Sequence, residues 1–139
     1  MGTASQFMNQ KVESIPSGET VDVAAKRMRD ADVGALLVTD EGGQLVGVVT
    51  DRDIVTGCIA SGHDPAKCQV STLAEHKPVT VDAEADLAQI IKTMSRSRVR
   101  RVPVTENGRL VGVLGLSDLM KAATPDEIGS LVGKIVQRG

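Results

Sequence analysis

The sequence predicts an α+β fold: two tandem copies of one β-α-β-β-α unit packed about a pseudo-twofold, with a short helix at the C-terminus. Three observations carry this. Gly47-Val48-Val49-Thr50-Asp51-Arg52-Asp53 reads as the end of a buried strand, then a hydroxyl and a carboxylate at a helix start, and it recurs in altered form as Gly112-Val113-Leu114-Gly115-Leu116-Ser117-Asp118. The helical stripe Val21, Ala24, Ala25, Met28 recurs as Leu87, Ile90, Ile91, Met94. The strand and turn segments between them also repeat in the same order. Two copies of a unit this long are a duplicated domain rather than a solenoid. The expected boundaries are 5–66 for the first copy, 67–123 for the second and 124–139 for the tail helix.

In the first copy, Val12 and Ile15 lead to a turn at Pro16-Ser17-Gly18, and Thr20 stands as the N-cap of the helix carrying the first stripe. Ala35 to Val38 is a short buried strand, closed by the turn Asp40-Glu41-Gly42-Gly43. Leu45 to Val49 is the next strand, and Asp53 opens a helix through Ile54 and Val55 toward Ile59. The loop from Ser61 to Lys67, with Gly62 and Pro65, ends the copy. In the second copy Val79-Thr80-Val81 stands for the first strand and Asp86 takes the place of Thr20. Val102-Pro103-Val104-Thr105 matches Leu36-Leu37-Val38-Thr39, and Glu106-Asn107-Gly108 matches the hairpin turn with one residue deleted. In the tail, Thr124-Pro125-Asp126-Glu127 has a capping-box pattern ahead of the apolar face Ile128, Leu131, Val132, Ile135, Val136.

Composition narrows the function classes. The chain has 139 residues, 41% hydrophobic and 24% charged, enough to bury a core without disulfides or metals. A net charge of −2 gives no electrostatic case for nucleic acid or an anionic membrane as partner. One Phe, no Tyr and no Trp leave a core of Val, Leu, Ile, Met and Ala and argue against single-strand binding by aromatic stacking. No apolar run approaches a membrane span, and Met1 to Gln10 lacks the pattern of a signal peptide. Cys58 and Cys68 flank His63, but there is no CxxC and no fourth ligand nearby, so they are expected as reduced cysteines and no metal site is expected. HExxH, GxSxG, a P-loop and a nucleophile–base pair are all missing, so no catalytic residue is expected.

A hydroxyl and a carboxylate at a strand-to-helix junction, built twice, suggest a paired small-ligand site between two similar halves. Thr50-x-x-Asp53 is equally the pattern of a helix cap, worth about 1 kcal/mol with no ligand. In the second copy Asp118 persists although Gly115 has removed the hydroxyl, which favours a ligand role over a cap.

The duplicated unit, the G-h-h-T-x-x-D segment and the run Val99-Arg100-Arg101-Val102-Pro103-Val104 resemble cystathionine β-synthase (CBS) domains, two of which in tandem form a Bateman module. The resemblance covers about residues 5 to 123 and is similar to stand-alone CBS pairs. It implies a non-catalytic, cytoplasmic regulatory module that needs no cofactor. The module would bind an adenosine-containing ligand (AMP, ADP, ATP or a related adenosyl compound) in the cleft between the repeats and signal to a regulated protein. The alternative is a structural or interaction dimer with vestigial sites. It also implies a homodimer formed through the amphipathic helices. Carried over residue by residue, Asp53 and Asp118 would hold ribose hydroxyls. Thr50, Ser117 and free N–H groups at the helix start would meet phosphate, and Gly47 and Gly112 would let backbone approach the ligand. Ile15, Leu36, Val81 and Val102 would face the base, and Arg100 and Arg101 would reach phosphates. The two sites are unequal: the first keeps Thr50, whereas the second has the arginines where the first has Gly34-Ala35.

Overall fold

Three short strands give each copy a sheet packed on a core, with burial alternating along the two longer strands of the first copy. The computed structural model describes residues 2–74, 76–121, 124–126, 129, 132 and 133. In chain order the elements are α1 (Ala4–Phe7), β1 (Ser14–Pro16), α2 (Val21–Ala31), β2 (Ala35–Thr39), β3 (Leu45–Thr50) and α3 (Asp51–Ile54). A π-helical turn (Val55–Ile59) and a 3-10 turn (Val70–Thr72) follow, then β4 (Val81–Asp82), α4 (Leu87–Ser97), β5 (Arg101–Glu106), β6 (Arg109–Gly115) and α5 (Leu116–Leu119). The sheets have the same topology, β1-β2-β3 and β4-β5-β6, with the first pair parallel and the second antiparallel. This is the α+β duplication the sequence predicts. The tail helix expected over 124–139 lies outside the described residues, apart from 124–126, 129, 132 and 133.

The cores follow the stripes. In the first copy Ile15, Val21, Ala24, Met28, Leu36, Val38, Val49 and Ile54 are buried together, while Ala25 is exposed. In the second Val81, Ile90, Met94, Val102, Val104, Leu114 and Leu119 do the same. Both first helices end on a left-handed residue, Asp32 (φ 54°) and Arg98 (φ 55°), a stop normally given to glycine and so hard to see in the sequence. The β5–β6 hairpin turns through Asn107-Gly108, both at positive φ as a two-residue type I′ turn demands. The longer β2–β3 loop is held by Asp40, whose Oδ1 accepts from Gly42 N (2.9 Å) and Gln44 N (3.0 Å).

Thr20 departs from its expected role. It precedes α2 in extended conformation, but its hydroxyl donates to the Asp22 carboxylate instead of accepting from the helix, and holds that carboxyl below its usual range. Asp86 does cap α4: Oδ1 accepts from Gln89 N (2.9 Å), and Gln89 Oε1 accepts from Asp86 N (3.0 Å).

Packing divides the chain elsewhere than 66/67. Residues 13–78 form one unit, and residues 2–12 join those from 79 onward in the other. The reason is a pair of equivalent docking segments. Ala4 N donates to Ala85 O (2.8 Å), Ser5 N to Ala83 O (3.0 Å), and Thr3 bridges to Asp86. In the other unit Val70 N donates to Glu19 O (2.8 Å), Ser71 N to Ser17 O (3.1 Å), and Gln69 bridges to Thr20.

Candidate functional site

The strand β3 delivers Thr50 to the start of α3 in extended conformation (φ −112°, ψ 163°), where it becomes the N-cap. Its Oγ1 accepts from Asp53 N at 3.1 Å, and Asp53 Oδ2 accepts from Thr50 N at 2.9 Å, closing a reciprocal capping box with both residues half-buried. The helix therefore opens at Asp51, and Asp53 is its third residue rather than its first. Asp51 N donates to Gly34 O (2.9 Å) and Arg52 N to Asp51 Oδ1 (2.8 Å). The amides expected to be free for a phosphate are thus all used within the protein. Asp53 retains capacity, since a carboxylate offers about four lone-pair sites and this one spends a single oxygen on Thr50.

The second copy keeps the geometry and loses the hydroxyl. Gly115 has φ −118° and ψ 171°, an ordinary extended conformation, and a Cβ there would meet nothing closer than 3.6 Å. Glycine is not required by space, and its effect is chemical. Asp118 Oδ2 still accepts from Gly115 N at 2.8 Å, while Leu116 N donates to Arg100 O at 3.1 Å, as Asp51 N does to Gly34 O. The persistence of Asp118 without a hydroxyl therefore does not separate ligand from cap, because half of the box survives.

The surroundings differ in charge. Around Gly115 the structure brings together Arg101 Cγ, Asp118 Oδ2 and Ser117 Oγ, at 3.6, 3.7 and 3.8 Å from where a Cβ would stand, with Arg100, Arg101 and Ser117 exposed. In the first copy Gly34 stands where the second has Arg100, and a Cβ on it would lie 3.3 Å from Asp51 Oδ2. One junction has the stem of Arg101 and the backbone of Arg100 beside it, and the other has a second carboxylate.

Six expected site residues have other duties. Ile15, Leu36, Val81 and Val102 are 0%, 1%, 4% and 0% exposed inside the two cores, so their side chains offer a base little or no free face. Val81 reaches only the floor of an open hollow of about 430 Å³ beside α4, to which Asp118 and Arg101 do not contribute. In the first copy Arg27, the counterpart of Thr93 in that hollow, donates to Ser14 O (2.9 Å). Gly47 and Gly112 are buried by their own unit: a Cβ on Gly47 would lie 2.7 Å from Ala74 O, and one on Gly112 would lie 2.8 Å from Met8 Cγ and 3.1 Å from Asn9 O. They are small because the docking segments cross the strands there. Sequence reasoning missed those segments because each is short and buries few apolar residues, Ala4 in one and Val70 and Ala74 in the other.

Comparison with known proteins gives a consistent result. The family described as CBS domain matches residues 4–59 and again 70–124, so its two starts fall on the two docking segments. Hypoxic response protein 1 of Mycobacterium tuberculosis is 38% identical over 121 residues, 87% of this chain and 85% of that protein. The uncharacterized protein YlbB of Bacillus subtilis is 39% identical over 119 residues, 84% of this chain and 80% of that protein. Among solved structures, that of Hypoxic Response Protein I with two coordinated zinc ions superposes with a TM-score of 0.76 at 37% identity, covering 88% of this chain and all of that one.

Proposed function

We propose, from the premise that this chain belongs to the CBS-domain family and carries two tandem repeats of it, that it is a non-catalytic sensor of an adenosine-containing ligand that signals to a partner protein. CBS pairs are in general regulatory ligand-binding modules. The observation that carries the finer reading is the repeated carboxylate. Asp53 and Asp118 stand half-buried at the same strand-to-helix junction, each spending one oxygen on the cap and keeping the other for ribose hydroxyls. The phosphate end is assigned to the second junction, where Arg100 and Arg101 lie exposed and where the first has Asp51 instead. A cytoplasmic location is part of the proposal and rests on the class of ligand.

The test is calorimetric titration of AMP and ATP into Asp53→Ala, Asp118→Ala and Thr50→Ala variants. Thr50→Ala removes the cap hydroxyl and keeps the carboxylate, so it should bind as the unmodified protein does. Asp118→Ala should weaken ATP at least tenfold, as expected for losing about 1.5–3 kcal/mol of charge-assisted hydrogen bonding. Equal losses in both aspartate variants would remove the asymmetry.

One observation favours the second reading, an interaction module with vestigial sites: the amides at the first junction are satisfied internally. Zinc, present in the structure of Hypoxic Response Protein I, does not enter either reading. Among the described residues no three His, Cys, Asp or Glu side chains converge to hold an ion.

A homodimer belongs to the proposal. The second helices leave Val55, Ile59 and Met120 57%, 53% and 65% exposed, apolar surface suited to a second copy of the chain. Sedimentation should give a dimer that Val55→Asp with Met120→Asp converts to monomer, and a monomer at every concentration of the unmodified chain would contradict this.

A further inference from the structure

The two copies differ in what spans from the first helix to the first strand, a difference that the nucleotide reading does not use. In the first copy Arg27 of α2 does so: its Nη1 donates to Ser14 O on β1 at 2.9 Å, and its Nη2 lies 3.9 Å from Glu19 Oε2. The repeat register identifies the counterparts. Ile15 pairs with Val38 as Val81 pairs with Val104, so Thr80 stands where Ser14 does. Val21 begins α2 as Leu87 begins α4, so Thr93 stands where Arg27 does and Ala85 where Glu19 does. The second copy has thus lost the arginine, and Thr80 and Thr93 both line the open hollow of about 430 Å³. Acid has not gone with it. Asp82 and Glu84 line the same hollow, at places where the first copy has Pro16 and Gly18. Asp82 spends Oδ2 on Glu84 N (2.9 Å), and among the described residues neither carboxylate forms an ion pair.

We propose that this hollow binds a small alkylguanidinium compound, which supplies to the second copy the group that Arg27 supplies to the first. The first copy shows the fit from within the same chain: the carbonyl at this place on the strand accepts from a guanidinium, and Thr80 O is its counterpart. A guanidinium has five N–H donors and no acceptor. The hollow answers with acceptors: the Thr80 and Thr93 hydroxyls and the carboxylates of Asp82 and Glu84. Carboxylates take a guanidinium through two parallel hydrogen bonds, a geometry that an ammonium does not match. The volume falls in the range of small-molecule sites, and the open mouth leaves the alkyl tail in water.

The hollow shares no residue with the Asp53 and Asp118 junctions, and its test needs no nucleotide. The probe is agmatine, and the control is cadaverine, a diamine of similar length without a guanidinium. Each is titrated into the full chain and followed by the amide shifts in proton–nitrogen NMR spectra. Agmatine should saturate with a dissociation constant of about 1 mM or tighter, as suits a ligand of this size. The shifts should centre on Thr80, Gln89 and Thr93, and cadaverine should bind at least tenfold more weakly. Asp82→Asn with Glu84→Gln removes both charges and keeps the side-chain shapes, and should weaken agmatine at least tenfold. Thr93→Arg rebuilds the arrangement of the first copy, so its own guanidinium should exclude the probe. Four results would overturn the proposal: no saturation by about 10 mM agmatine, equal binding of cadaverine, shifts gathered at Asp53 or Asp118 instead, or unchanged binding in folded Thr93→Arg.

Discussion

Removing residues 2–12 is expected to cost the second unit about 5 kcal/mol, a large share of the 5–15 kcal/mol that holds a domain folded. Two terms add to that figure. The segment contributes Ala4, fully buried, with Phe7 and Met8 packed against the core of Val81, Ile90, Leu114 and Leu119, and each large side chain returned to water costs about 1.5–3 kcal/mol. It also supplies backbone partners: Ala4 N to Ala85 O (2.8 Å), Ser5 N to Ala83 O (3.0 Å), and the exchange between Asn9 and Val113 at 2.8 and 3.0 Å. Deletion would leave the Val113 side of β6 without that pairing and uncover the part of the core that Ala4, Phe7 and Met8 cover. Urea unfolding should show a lower midpoint for a transition that involves the second unit, with Phe7→Ala giving a fraction of the effect. A deletion that moves stability by less than about 1 kcal/mol would mean that the segment is a dispensable arm.

Gly47→Val is expected to destabilise the first unit by about 2–3 kcal/mol, the usual cost of overpacking. The obstacle is backbone: the added Cβ would lie 2.7 Å from Ala74 O and 3.1 Å from Ala74 Cβ, and Ala74 is held by its own N–H bonded to Val70 O at 3.1 Å. Either the 70–74 segment lifts off β3 or the strand bends. Gly112→Ala should cost less, because its nearest neighbours are the Sδ and Cγ of Met8, the end of a flexible side chain that can swing away. Gly115→Ala, with 3.6 Å of clearance, should be near neutral. If Gly47 were small in order to admit a ligand, Gly47→Ala would spare stability and abolish binding; the packing predicts the opposite order.

These two results concern what the sequence hid. The duplication, both sheets and both amphipathic helices are legible because period and spacing repeat: Val21, Ala24 and Met28 face one core as Leu87, Ile90 and Met94 face the other. The two docking segments were not legible, since a few residues joined by backbone hydrogen bonds leave no periodic trace. Misreading them misassigned Gly47 and Gly112, whose need for space comes from Ala74 and Met8. The apolar residues expected around a base were assigned by position along the strands. Each strand alternates faces, and Ile15, Leu36, Val81 and Val102 turned out to point into the core. The pattern brings out Thr50 and Asp53 at the strand-to-helix junction, but it makes Asp53 the first residue of a helix in which it is the third, and it does not show the reciprocal bonds between the two. The charge difference between the junctions was visible as Arg100-Arg101 against Gly34-Ala35. Only the structure added Asp51 to the first side of that comparison.

The central claim is that these junctions hold an adenosine ligand, and thermal unfolding of the unmodified chain with AMP, ADP, ATP, NAD and S-adenosylmethionine tests it most directly. Circular dichroism is the readout, because the chain has neither Trp nor Tyr. A ligand at a hundred times its dissociation constant adds about 2.7 kcal/mol, a rise of several degrees in Tm for a chain of this length. The account predicts such a rise with at least one of the five, larger for ATP than for AMP if Arg100 and Arg101 hold the phosphates. No rise with any of them would contradict it and leave Asp53 and Asp118 as helix caps.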